Sequence, residues 1–147
     1  MQFHHLSKNN IDDINPKAGA TKARNVYVGP FAKKYQQYAE TFYPGAWCIL
    51  SAKHGFLFPD DKVPGPYNVT FNKKATKPIG IEVLANQARK KGLDKFRTIV
   101  VIGGRNYVGK INEVFKEKII ETPLKGCKGM GYMMGKMNDA IKIKNLI

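Results

Sequence analysis

Between Ser51 and Asn68 the chain gathers more chemistry than anywhere else. The run Leu50-Ser51-Ala52-Lys53-His54-Gly55-Phe56-Leu57 continues through Pro59-Asp60-Asp61-Lys62 to Pro66-Tyr67-Asn68. It brings together a hydroxyl, an ammonium, an imidazole, two carboxylates and a phenol. His54 can exchange a proton near neutral pH. Asp60 or Asp61 can activate water or stabilise a developing cation. Ser51, Lys53, Tyr67 and Asn68 are the residues expected to hold a substrate, with Tyr67 stacking on a base or orienting a phosphate. A structural alternative stands beside each role: Pro-Asp-Asp is a good turn sequence, and a single His before Gly can simply close a strand.

Two further loops carry binding chemistry. In Gly103-Gly104-Arg105, two glycines precede a basic residue where a helix begins, a place that favours anions. Arg105 is one of only four arginines in the chain, so its position there points to phosphate or base contact. An ordinary strand-to-helix turn would also ask for glycine. The third loop, Leu124-Lys125-Gly126-Cys127-Lys128-Gly129-Met130-Gly131, supplies Lys125 and Lys128 and reads either as a phosphate cradle or as a loose helix entry. No Walker sequence, dinucleotide fingerprint or nucleophile elbow is present. His4, His5 and His54 make no ligand pair, and Cys48 and Cys127 match no metal or redox spacing, so neither metal nor cofactor is expected.

The elements that must position these loops follow from periodicity. Phe31, Tyr35, Tyr38, Ala39 and Phe42 recur at helical spacing after Pro30, and Pro44-Gly45 ends that helix. Residues 46–51 read as a buried strand, 79–91 as a helix closed by Gly92, and 98–103 as a strand apolar on both faces. A helix over 106–118, a short strand at 118–121 and a last helix over 132–144 complete the series. Strands alternating with helices predict a single three-layer α/β domain over residues 1–147. Its centre would be a mostly parallel sheet of about four strands with helices on its faces. In such a sheet the loops after the strands share one edge, so the three loops should converge. Residues 1–25 are polar and leave two readings open: a short first strand near residues 2–6 followed by a loop, or a flexible segment.

Charge points the same way. Lys and Arg number 25 against 11 Asp and Glu, a net charge of +14 on 147 residues. Acid-free stretches run over 14–39, 62–81 and 122–138. Such an excess suits phosphate neutralisation on nucleic acid; a merely solubilising lysine surface is the plain alternative. With 43% hydrophobic residues there is material for a packed core. No stretch approaches the about 20 apolar residues of a membrane span, and the N-terminus does not read as a secretion signal. A cytoplasmic protein with a nucleic-acid partner, DNA before RNA, and no membrane is expected.

The first motif also resembles a known one. Leu50-Ser51-Ala52-Lys53-His54-Gly55-Phe56-Leu57 with Pro59-Asp60 and Pro66-Tyr67 resembles the signature of a small bacterial, archaeal and phage domain of unknown function. That domain is similar to the YaaA (peroxide-stress) family, which has a comparable Ser-x-x-x-Gly-x-Leu, Pro-x-Asp and Pro-Tyr series. The likeness extends through Tyr27, residues 101–107, Pro123-Leu124-Lys125-Gly126, Gly129 and Gly131. Leu6-Ser7-Lys8 stands where the smaller family has Cys-Ser-Lys, so no role for that thiol carries over. The resemblance implies nucleic-acid or nucleobase chemistry. The expectation is an enzyme acting on a nucleobase or nucleotide, by N-glycosidic hydrolysis or modified-base processing. Asp60 or Asp61 would be its carboxylate, His54 its proton donor, and Lys53 and Arg105 its phosphate contacts. The alternatives are a non-catalytic DNA- or RNA-binding module, then a small-molecule enzyme taking a nucleotide-like anion, then a nuclease.

Overall fold

The structure, a computed structural model, describes residues 2–5, 20–27, 29–64, 67, 69, 71, 73–145 and 147. Helix and strand mix along the chain. Strand β1 (Gln2–His5) is followed by β2 (Thr21–Lys22), α1 (Ala23–Val26), α2 (Pro30–Phe42), β3 (Trp47–Ser51), β4 (Gly55–Leu57) and β5 (Lys62–Val63). Then come α3 (Ile81–Lys90), β6 (Thr98–Ile102), α4 (Arg105–Val114), β7 (Ile119–Glu121) and α5 (Met130–Ile143). The main sheet has five short strands in the order β4-β3-β1-β6-β7, and β2 pairs with β5 in a separate ribbon. Strand β1 runs parallel to β3 and β6, and β6 parallel to β7, whereas β4 and the ribbon are antiparallel.

The mixture of helix and strand is as expected, but among the described residues the main sheet carries five short strands and is mixed, β4 running antiparallel to β3. Two things were left undecided by the sequence: where the chain goes after Ser51, and whether the residues near 2–6 form a strand. Residues after Ser51 do not leave as a long loop but double back at once as β4. The polar Gln2–His5 stretch forms the centre of the sheet, pairing on both sides. The Leu6–Ser7–Lys8 turn and Asn68 lie outside the described residues.

Alternation along the strands splits the core in two. Trp47, Ile49, Leu57, Val100 and Ile102 pack with α2 and α5, where Phe31, Tyr35, Tyr38, Ala39, Met137 and Ala140 are buried. Cys48, Leu50, Phe56, Ile99 and Val101 turn to the other side and meet Leu84 and Ala88 of α3 and Tyr107 and Ile111 of α4. Strands β3 and β6 are thus buried on both faces, which accounts for their uninterrupted apolar runs. Each helix presents the stripe its spacing predicts, with Phe42, Met133, Val114 and Ile81 at the partly buried margins.

Helix α5 contains Gly131 and Gly135, and a Cβ built on either meets nothing within 4 Å. Neither glycine is in the left-handed region. Alanine in a helix interior is favoured over glycine by about 1 kcal/mol. Gly135→Ala is therefore expected to raise the unfolding free energy by about that amount in urea titration. A loss of stability would show that the helix needs the bare backbone there for packing.

Candidate functional site

Strands β3, β6 and β7 all point their C-terminal ends to one edge, and the turns that follow them bring polar groups there. The β3–β4 turn is held from two sides. Ser51 ends β3 and pairs with Gly55 across a three-residue loop; Gly55 takes φ +77°, the left-handed geometry such a loop requires. The Ser51 hydroxyl accepts the backbone N–H of Lys53 (3.2 Å) and of His54 (3.0 Å). From α3, Gln87 accepts the Phe56 N–H through Oε1 (2.9 Å) and donates from Nε2 to the His54 carbonyl (3.0 Å). The turn therefore displays Lys53 and His54 from a rigid frame.

Beneath it runs a chain of hydroxyls. Ser51 Oγ lies 2.8 Å from the Tyr67 hydroxyl, which lies 2.5 Å from that of Tyr27. Ser51 already accepts two backbone N–H groups, so both its lone pairs are used and its proton must go to Tyr67. Three hydroxyl protons then serve two links, and one phenolic O–H remains to donate elsewhere. Burial, the largest influence on each, raises the pKa of Tyr27 and of Tyr67; for Tyr27 the neighbouring Tyr67 raises it further. Both are neutral donors at physiological pH.

His54 stands edge-on to Tyr67, ring centroids 5.2 Å apart, and the Lys53 ammonium lies 5.9 Å from the Tyr67 ring centre. Its Nε2 is buried and has no hydrogen-bond partner among the described residues. Burial first, and the Lys53 charge second, lower its pKa below the usual 6.5. The folded state thus resists protonation that the unfolded state accepts. Stability contributed by neutral His54 is fully present above about pH 6.5, its unfolded value, and is lost as pH falls from there through the lower folded value. Between about pH 7 and about pH 5, thermal unfolding should show a smaller drop in Tm for His54→Gln than for the parent protein. Equal drops would mean that His54 charges freely in the fold.

On the β6 and β7 side the same edge opens into a crevice of about 650 Å³, lined among others by Gly103, Gly104, Arg105, Lys125 and Cys127. The second and third loops do converge. Arg105 begins α4, whose N-cap, Gly104, has no side chain to obstruct approach to the backbone. Tyr107, in the first turn of α4, is buried and packs edge-on to Phe71 at 5.1 Å. Lys128 is exposed in the same loop as Lys125 but does not line the crevice.

Asp60 and Asp61 are not brought to His54. Because β4 runs antiparallel to β3, the chain has returned toward the opposite edge by the time it reaches them. Asp60, 66% exposed, pairs with Arg24 at 3.0 Å and Lys22 at 3.7 Å. Asp61 accepts the Phe58 N–H (2.8 Å) and pairs with Lys91 (2.7 Å). They staple the β4 exit to the β2–β5 ribbon and to the end of α3. Ser51 itself is 1% exposed and serves the turn and the hydroxyl chain. Gln87 was missed by sequence reasoning, which named Tyr27 only within the resemblance and Tyr107 only as a core residue; Tyr27 meets Tyr67 across 40 positions, a pairing that no local spacing announces.

Among the described residues no cluster of three or more His, Cys, Asp or Glu could hold a metal ion, and no helix is long and apolar enough to cross a membrane.

A family model described as a family of unknown function (DUF6884) matches residues 15–138. The chain is 40% identical over 139 residues to a Bacillus subtilis (strain 168) protein described as the uncharacterized protein YfjM, covering 94% of this chain and 92% of that relative. No solved structure matches it significantly.

Proposed function

This chain belongs to the DUF6884 family of unknown function, and we propose that it is a nucleic-acid-binding enzyme that processes a nucleobase or nucleotide at the edge where β3, β6 and β7 end. The observation that carries this is the segregation of charge. The turns after those strands supply Lys53, Arg105, Lys125 and Lys128 and contain no carboxylate. Ion pairs among the described residues gather instead around Asp60, Asp61 and Glu40, where β4 exits and α2 ends. Cations without carboxylate partners among the described residues, set beside a crevice, suit a polyanion, whose counterions are released on binding. The resemblance of the first motif to the YaaA family supports the same partner.

In this reading Arg105 and Lys125 take phosphate. His54, held neutral, accepts a proton, and the remaining phenolic O–H of the Tyr27–Tyr67 pair donates to a polar edge of the base. Glycosidic hydrolysis would draw on a nearby carboxylate. Asp60 and Asp61 are engaged elsewhere, so proton transfer on a modified base fits the described groups better. A non-catalytic binding module is the second reading, favoured by the burial of Ser51 and of His54 Nε2, which shields part of the network from any ligand.

The test is binding of labelled single- and double-stranded DNA and RNA across a salt series, with the same samples assayed for released or altered base and for strand breaks. Salt-sensitive binding with a changed base supports the enzyme. Binding without product selects the module, and no binding at low salt removes nucleic acid as the partner.

A further inference from the structure

We infer that the first turn of α5 is a stacking platform for an unpaired nucleobase, so that the strand-edge crevice takes single-stranded nucleic acid in preference to duplex. This rests on the nucleic-acid reading above and names the form of the partner. Tyr132 is 70% exposed and Met130 44%, the two together in the entrance turn of α5. Met133, one residue further on, lines the crevice with Arg105 and Lys125. Of the other tyrosines, Tyr27, Tyr35, Tyr38 and Tyr107 are buried and Tyr43 and Tyr67 half-buried. Leaving an aromatic ring in water forgoes the stabilisation its burial would bring.

The surroundings suit a nucleotide. Gly129 and Gly131 flank Met130, and a Cβ on either would meet nothing within 4 Å, so the backbone at the helix entrance is open to close approach. Lys128 precedes them, exposed. Two positions apart on the helix, Met130 and Tyr132 face different sides, so the ring of Tyr132 alone is the stacking face for the base of a nucleotide whose phosphate is held by Arg105 and Lys125. Stacking on an aromatic face serves any base, because every base has a π-face, but that face must first be free of its duplex neighbours. A duplex keeps its base faces stacked on one another, so it leaves none free for the Tyr132 ring.

The experiment compares a short fluorescein-labelled oligothymidylate with a duplex of the same length by fluorescence anisotropy, using the full chain. Single strand should bind more tightly. Tyr132→Ala should weaken it about tenfold or more while leaving duplex affinity and the salt dependence unchanged, and Tyr132→Phe should retain most of the affinity. Because Tyr132 is exposed, these variants should fold as the parent does. An equal loss on both nucleic acids, or none on either, overturns the stacking platform and leaves nucleic-acid binding standing. Failure of both to bind at low salt overturns the partner as well. If Tyr132→Ala instead dissociates a dimer in sedimentation velocity without changing oligonucleotide affinity, the face belongs to a second copy of the chain and the platform is wrong.

Discussion

Replacing Gly55 with alanine is expected to destabilise the protein by about 3 kcal/mol and to lower its Tm by about 10 °C. Two costs add. At φ +77° an L side chain is strained by about 1–2 kcal/mol. The new Cβ would also sit 2.0 Å from Gln87 Oε1, so the amide must swing away. Gln87 then loses its bonds to the Phe56 N–H and the His54 carbonyl, each worth about 1 kcal/mol net. A double-mutant cycle separates the two. Gln87→Ala alone should cost about 2 kcal/mol, and Gly55→Ala placed on that background should cost only its backbone share. Strict additivity would mean that Gln87 moves aside without loss and the turn is held by Ser51 alone. This turn carries Lys53 and His54, so the same variants should also blunt whatever chemistry the edge performs.

The largest functional effect is expected from Arg105→Ala combined with Lys125→Ala. Each lost phosphate contact removes about 0.9 from the slope of log K against log salt on duplex DNA. Relative to a molar-salt reference, that is about eightfold in affinity per contact at about 0.1 M salt, hence about sixtyfold for the pair. The slope should flatten by about 2. Both side chains are exposed, so the double variant should unfold at the parent's temperature. As a control, Lys22→Ala removes a cation paired with Asp60 on the opposite edge and should leave affinity nearly unchanged. If the control and the edge variant lose affinity alike, the positive charge acts as a diffuse field and the crevice has no special part in binding.

The sequence by itself determined the parts that depend on near neighbours. Helical spacing of Phe31, Tyr35, Tyr38 and Ala39, or of Tyr107 and Ile111, marks a buried stripe because side chains a turn apart share one face. The apolar run Thr98–Ile102 marks a strand covered on both sides, and the acid-free loops with Arg105 and Lys125 are legible as they stand. Their convergence also followed, because parallel strands end together. Only the tertiary structure decided the rest. Gln2–His5 carries no strong strand signal, yet it is the central strand, since its place comes from pairing with β3 and β6 far along the chain. Asp60 and Asp61 lie a few residues beyond His54, but one left-handed glycine reverses the chain and sends them to the opposite edge. Tyr27 and Tyr67, 40 positions apart, meet beneath that turn. Periodicity records which face of an element is buried; it does not record which distant element covers it, and the polar groups of this site are joined by such distant contacts.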